Sequence, residues 1–141
     1  MFEKWIRTVF YLIGTGNICA AALVAVPLYD STLLTHLYPE VFSPIGLGAI
    51  GLWGLAYIAI GSVYDRAPVA VLVLALEKLF YASLWAPWIM GHWRALGGIF
   101  SADPIAGLLY ASWGPYDFVS CLFFIFVYIR VTRGQAAART A

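Results

Sequence analysis

Glu77 and Lys78 stand side by side in the run VLVLALEKLFYASLWAPW, residues 71–88, where no other side chain is charged. An acid and a base in such surroundings can do two things. They can neutralise charges brought by neighbouring segments, or they can hold and pass a proton, as carboxyl groups placed at apolar sites do in acid–base catalysis. On a helix, adjacent residues point about 100° apart, so these two are poorly placed to pair with each other. Their partners must come from elsewhere in the chain. Asp117 is the best match for Lys78, which leaves Glu77 to Asn17, Tyr57, a water or a ligand. Glu77, Phe80, Tyr81, Leu84, Trp85 and Trp88 recur at helical spacing, which draws an acid at the base of an aromatic wall. A pocket of that kind suits a hydrophobic molecule, including a cationic or polycyclic one. Glu77 and Asp117 are therefore the candidate acid and base, with Asn17, Tyr57, Lys78, Tyr81, Trp85 and Trp113 as candidate ligand-binding residues. The structural alternative carries equal weight: polar residues also act as glue between membrane helices, and Lys78 with Asp117 would then be a salt bridge and nothing more.

The elements that must position these residues follow from composition. The chain has 141 residues, 63% of them hydrophobic and 11% charged. Soluble domains are closer to about 45–50% apolar and about 25% charged, and a fold this small could not hide the excess. The solvent for much of the chain is lipid. Four apolar segments come near the roughly 20 residues that cross a hydrocarbon core. They cover residues 8–28, 45–64, 69–90 and about 107–130, with 132–141 as a short mobile cytoplasmic tail. Pro27, Pro44 and Pro68 mark their edges, and YDRAP makes a very short turn between the second and third. The expected fold is an all-α membrane protein, a single domain built as a four-transmembrane-helix antiparallel bundle.

Topology follows from the cations. Lys4, Arg7, Arg66, Arg130, Arg133 and Arg139 fall on one side of an even number of spans, and Arg94 falls on the other. The positive-inside rule places both termini in the cytoplasm, in a membrane of the bacterial inner type. Lys4 and Arg7 precede an apolar run longer than the about 7–15 residues of a signal sequence, so the first span is expected to remain as a helix.

Counted from the cytoplasmic ends, Asn17, Glu77 and Lys78 lie at similar depth, roughly 13 Å inside at about 1.5 Å per residue. Asp117 joins this layer or sits outward of it, depending on where the fourth span starts. Asp103 followed by Pro104 is good helix-start chemistry, yet a helix from there to Arg130 is long for one crossing and Gly114–Pro115 would kink it. The alternative is a short interfacial helix to about Ala111 and a crossing from Pro115. A central charge in lipid costs roughly 2.5–3.5 kcal/mol, so these groups should face one another or a cavity. In the second span, Gly51, Gly54, Ile58 and Gly61 draw a face nearly bare of side chains, suited to close helix packing.

His36 and His92 map near the outer surface, close to Asp30, Glu40 and Asp103, without HExxH or CxxC spacing. No metal and no cofactor is expected, and no basic patch points to nucleic acid. Cys19 and Cys121 form no CxxC pair. The layout, the length and the intramembrane acids beside aromatics resemble two groups of small membrane proteins. These are the emopamil-binding and sigma-2-receptor-like domain, which binds sterols and in some members isomerises them, and the DoxX-like group. The likeness covers layout and carries over no site residue. The leading expectation is a bundle that binds a hydrophobic, lipid-like small molecule, with isomerase-like acid–base chemistry as an extension. Alternatives are an accessory or assembly subunit, with a membrane-protein partner or a second copy as its contact, and a small proton or ion transporter.

Overall fold

The computed structural model describes residues 2–25 and 32–140. Helices cover nearly all of these residues: α1 (Phe2–Ala25), α2 (Thr32–Leu37), α3 (Pro39–Phe42), α4 (Pro44–Val63), α5 (Pro68–His92), a 3-10 turn (Trp93–Ala95), α6 (Leu96–Ala102) and α7 (Pro104–Thr140). Four helices, α1, α4, α5 and α7, are long and apolar enough to cross a membrane. Pro27 and Asp30 lie outside the described residues.

Proline sets the starts. Pro39, Pro44, Pro68 and Pro104 each open a helix, the position where a missing N–H costs nothing. The Ser43 hydroxyl accepts from the Gly46 amide at 3.2 Å. Asp103 Oδ1 accepts from the Ile105 and Ala106 amides at 3.1 and 2.9 Å. Asp103 is thus the N-cap of α7, and the helix runs unbroken through Pro115. Of the two possible starts for the fourth span, the structure takes the one at Pro104. It also carries the helix past Arg130 to Thr140, where the sequence led us to expect a mobile tail. The physical reason is local: AAAR and its neighbours are strong helix formers, and Gln135 Nε2 donates to the Asp65 carbonyl at 2.9 Å, which ties the extension to the turn after α4.

α1 packs closely on α4, and α5 on α7. The first pair meets backbone to backbone, because Gly14 and Gly54 face each other and Gly61 receives the Phe10 side chain. In the second pair Gly114 receives the Trp85 indole, whose Nε1 donates to the Tyr110 carbonyl at 2.8 Å. Two buried apolar clusters result. One joins Phe10, Tyr57, Leu74 and Phe124 near the turn between α4 and α5. The other joins Leu34, Phe42, Trp88 and Tyr110 at the opposite end, where α2, α3 and α6 gather. The outward residues are apolar as well: Leu52, Leu55, Leu76, Phe80 and Val119 are all exposed, as side chains facing hydrocarbon would be.

Tyr110 is fully buried, stacks on Trp88 with ring centroids 4.2 Å apart, and donates its hydroxyl to the Leu34 carbonyl at 2.8 Å. Tyr110→Phe keeps the stacking and loses the hydrogen bond. We expect a loss of about 1 kcal/mol in the stability of the detergent-solubilised protein to SDS, with helicity unchanged.

Candidate functional site

Between the two apolar clusters lies a polar layer. Asn17, Glu77, Lys78 and Asp117 are 6%, 8%, 2% and 4% exposed. They come from α1, α5 and α7, and Tyr57 of α4, fully buried, completes the set. Lys78 Nζ lies 2.6 Å from Asp117 Oδ1 and 3.4 Å from Asn17 Oδ1, and it sits 5.1 Å from the centres of both the Tyr57 and Tyr116 rings. Its cation is thus held by a carboxylate, an amide and two aromatic faces. Glu77 pairs differently: one of its oxygens, Oε2, accepts the Tyr57 hydroxyl. Adjacent in sequence, Glu77 and Lys78 therefore serve different partners, as their angular separation on the helix requires.

The layer forms one wall of a cavity of about 300 Å³. Asn17, Glu77, Lys78, Tyr81, Trp113 and Asp117 all line it. Two sequence candidates do not. Tyr57 lies behind Glu77 and fixes its orientation, and Trp85 is spent on Gly114 and Tyr110. The aromatic stripe of α5 also divides, since Phe80 is 57% exposed while Trp88 is buried against Tyr110 and His92. Phe80 stands about 60° round the helix from Glu77, at the rim of the stripe, and from there it turns outward.

The cavity's remaining aromatic lining comes from residues the sequence reading passed over: Tyr116, on α7, and Phe42, on α3. Tyr116 was legible in principle, because Trp113, Tyr116 and Asp117 fall at the i, i+3, i+4 spacing of one helix face. Phe42 was not. It belongs to a four-residue helix in a connection too short to show a period.

The unused hydrogen-bonding capacity of the layer defines what the cavity can recognise. The Asn17 side chain offers its oxygen to Lys78, which turns its NH₂ away as a free donor. Glu77 engages Tyr57 through one oxygen and keeps the other as an acceptor. A donor and an acceptor lining one apolar chamber match a group that both accepts and donates. Among the described residues, no group of three or more His, Cys, Asp or Glu side chains comes together. No protein-family model, curated protein or solved structure matches this chain.

Proposed function

We propose that the chain forms an antiparallel four-helix transmembrane bundle, with both termini in the cytoplasm of a bacterial inner membrane, and that its cavity binds a lipid-like small molecule. One observation carries the reading: an apolar chamber of about 300 Å³ closed at one end by four buried polar residues. Sites for small molecules have this make-up, largely apolar walls with a few placed polar groups, and this volume lies at the small end of their range. The ligand end facing Asn17 and Glu77 is a hydroxyl or a group of like capacity. A carboxylate would face Glu77 and Asp117, and an ammonium would face the Asn17 NH₂. Glu77 and Asp117 are the two carboxyl groups placed to exchange a proton with such a ligand, which is the form acid–base chemistry would take here.

The glycine face of α4 weighs against the accessory-subunit reading, because α1 of the same chain already fills it. Apolar clusters on both sides of the polar layer weigh against an ion path. The test is native mass spectrometry of the protein released from nanodiscs. The wild type should retain a small amphiphile, and Glu77→Gln, which exchanges the acceptor oxygen for a donor or misplaces it, should lose most of it. An empty wild-type protein would refute the binding reading.

A further inference from the structure

Among the four long helices, α1 and α7 border the cavity without packing closely on each other. They meet through side chains. Trp5 stands edge-on to Phe123 and Phe10 leans on Phe124, with ring centroids 5.7 and 5.0 Å apart. Higher up, the Tyr116 hydroxyl donates across the gap to the Ile13 carbonyl at 3.2 Å. Outside this line of contacts runs a second concavity of about 670 Å³, an apolar groove on the outer surface bordered by Val9 and Ile13 of α1 and by Pro115 and Val119 of α7. The groove and the inner cavity share two residues, Ser112 and Tyr116. Tyr116 is therefore the partition between them. Ser112 is exposed, and Gly16, across from the Tyr116 hydroxyl, presents no side chain to block the passage. Pro115 has no N–H to give the carbonyl one turn back, so α7 lacks one backbone hydrogen bond beside the partition.

We propose that the seam between α1 and α7 is the lateral port of the cavity, with Tyr116 as its latch. It admits a single-tailed amphiphile from the bilayer, and the tail of the bound molecule lies in the outer groove. This rests on the binding reading above. Size carries the argument: the inner chamber is too small for a long-chain molecule, and the adjoining groove supplies the missing room in a place already facing hydrocarbon. The polar end settles against Asn17 and Glu77. Passage requires Tyr116 to release the Ile13 carbonyl and swing aside, which costs one hydrogen bond and leaves the Lys78–Asp117 pair in place.

The experiment is stopped-flow mixing of the full-length protein in nanodiscs with vesicles carrying a pyrenyl dodecanol, read by energy transfer from the tryptophans, of which Trp113 lies in the cavity. Tyr116→Phe retains the ring beside Lys78 and loses the latch. Association and dissociation should both rise by about fivefold, with affinity within about twofold of wild type. Val119→Trp crowds the groove at an exposed position outside the cavity, and should slow both rates by about tenfold. Probe binding with unchanged rates in both variants would overturn the port and leave the binding reading standing. An affinity loss in Tyr116→Phe that arises from dissociation alone would also overturn it, since the residue would then be a ligand contact and no latch. Failure of the wild type to take up the probe would remove the binding reading and the port with it.

Discussion

Lys78→Leu should destabilise the protein by about 3–5 kcal/mol, the usual cost of stranding one member of a buried ion pair. Lys78 is 2% exposed and Asp117 4% exposed, and their charged atoms are 2.6 Å apart. Among the described residues, no other cation pairs with Asp117. Leucine would also forfeit the contact with Asn17 and the two ring faces that flank the ammonium. The double variant Lys78→Leu with Asp117→Leu should recover most of the loss, because an apolar pair of similar volume avoids the desolvation of two ions. The measurement is reversible SDS unfolding in bicelles, followed by circular dichroism. Equal stability of wild type and single variant would mean that water or lipid headgroups reach Asp117, and the buried layer would have to be abandoned. A rescued double variant is also informative about function, since a pair that stability does not need is retained for some other task.

The second large effect is steric. A methyl group added at Gly54 would lie 2.7 Å from the Gly14 carbonyl and 3.1 Å from the Ile18 amide nitrogen, and both are backbone atoms that cannot rotate away. Gly54→Ala should therefore push α1 and α4 apart and cost about 3 kcal/mol, the upper part of the range for overpacked interiors. Gly48 is the internal control. Nothing lies within 4 Å of a methyl group there, so Gly48→Ala should be neutral or stabilising by up to about 1 kcal/mol through helix propensity. If the two substitutions behave alike in the same SDS titration, the close approach of α1 and α4 is wrong.

The sequence made the helices and the polar layer readable for different reasons. The spans were legible because lipid demands long uninterrupted apolar runs, and proline punctuates each of them. That Glu77 and Lys78 take different partners followed from an angle, and Asp117 was the carboxylate expected for Lys78, whereas Tyr57 was one of several partners left open for Glu77. What could not be read was which face of α5 turned inward. The run is apolar on every side, so Phe80 and Trp85 carry no signature that separates a lipid-facing ring from a packed one. The length of α7 was equally hidden, because a helix stopping at Arg130 and one tied to Asp65 through Gln135 differ in a contact 70 residues apart in sequence. Phe42 closes the cavity from a connection whose shape depends on tertiary packing.

The pairing of helices has a consequence for how the chain is made. α1 and α4 are consecutive among the four long helices, as are α5 and α7, so each closely packed pair is a hairpin of neighbouring segments. Lys78 and Asp117 lie in the same hairpin, one on each arm. If the four long helices enter a bilayer in chain order, the later pair carries Lys78 together with its counter-ion and does not depend on the earlier pair for charge compensation. Tyr57 and Asn17, from the first pair, meet Glu77 and Lys78, from the second, which makes the polar layer the register mark at which the two pairs align.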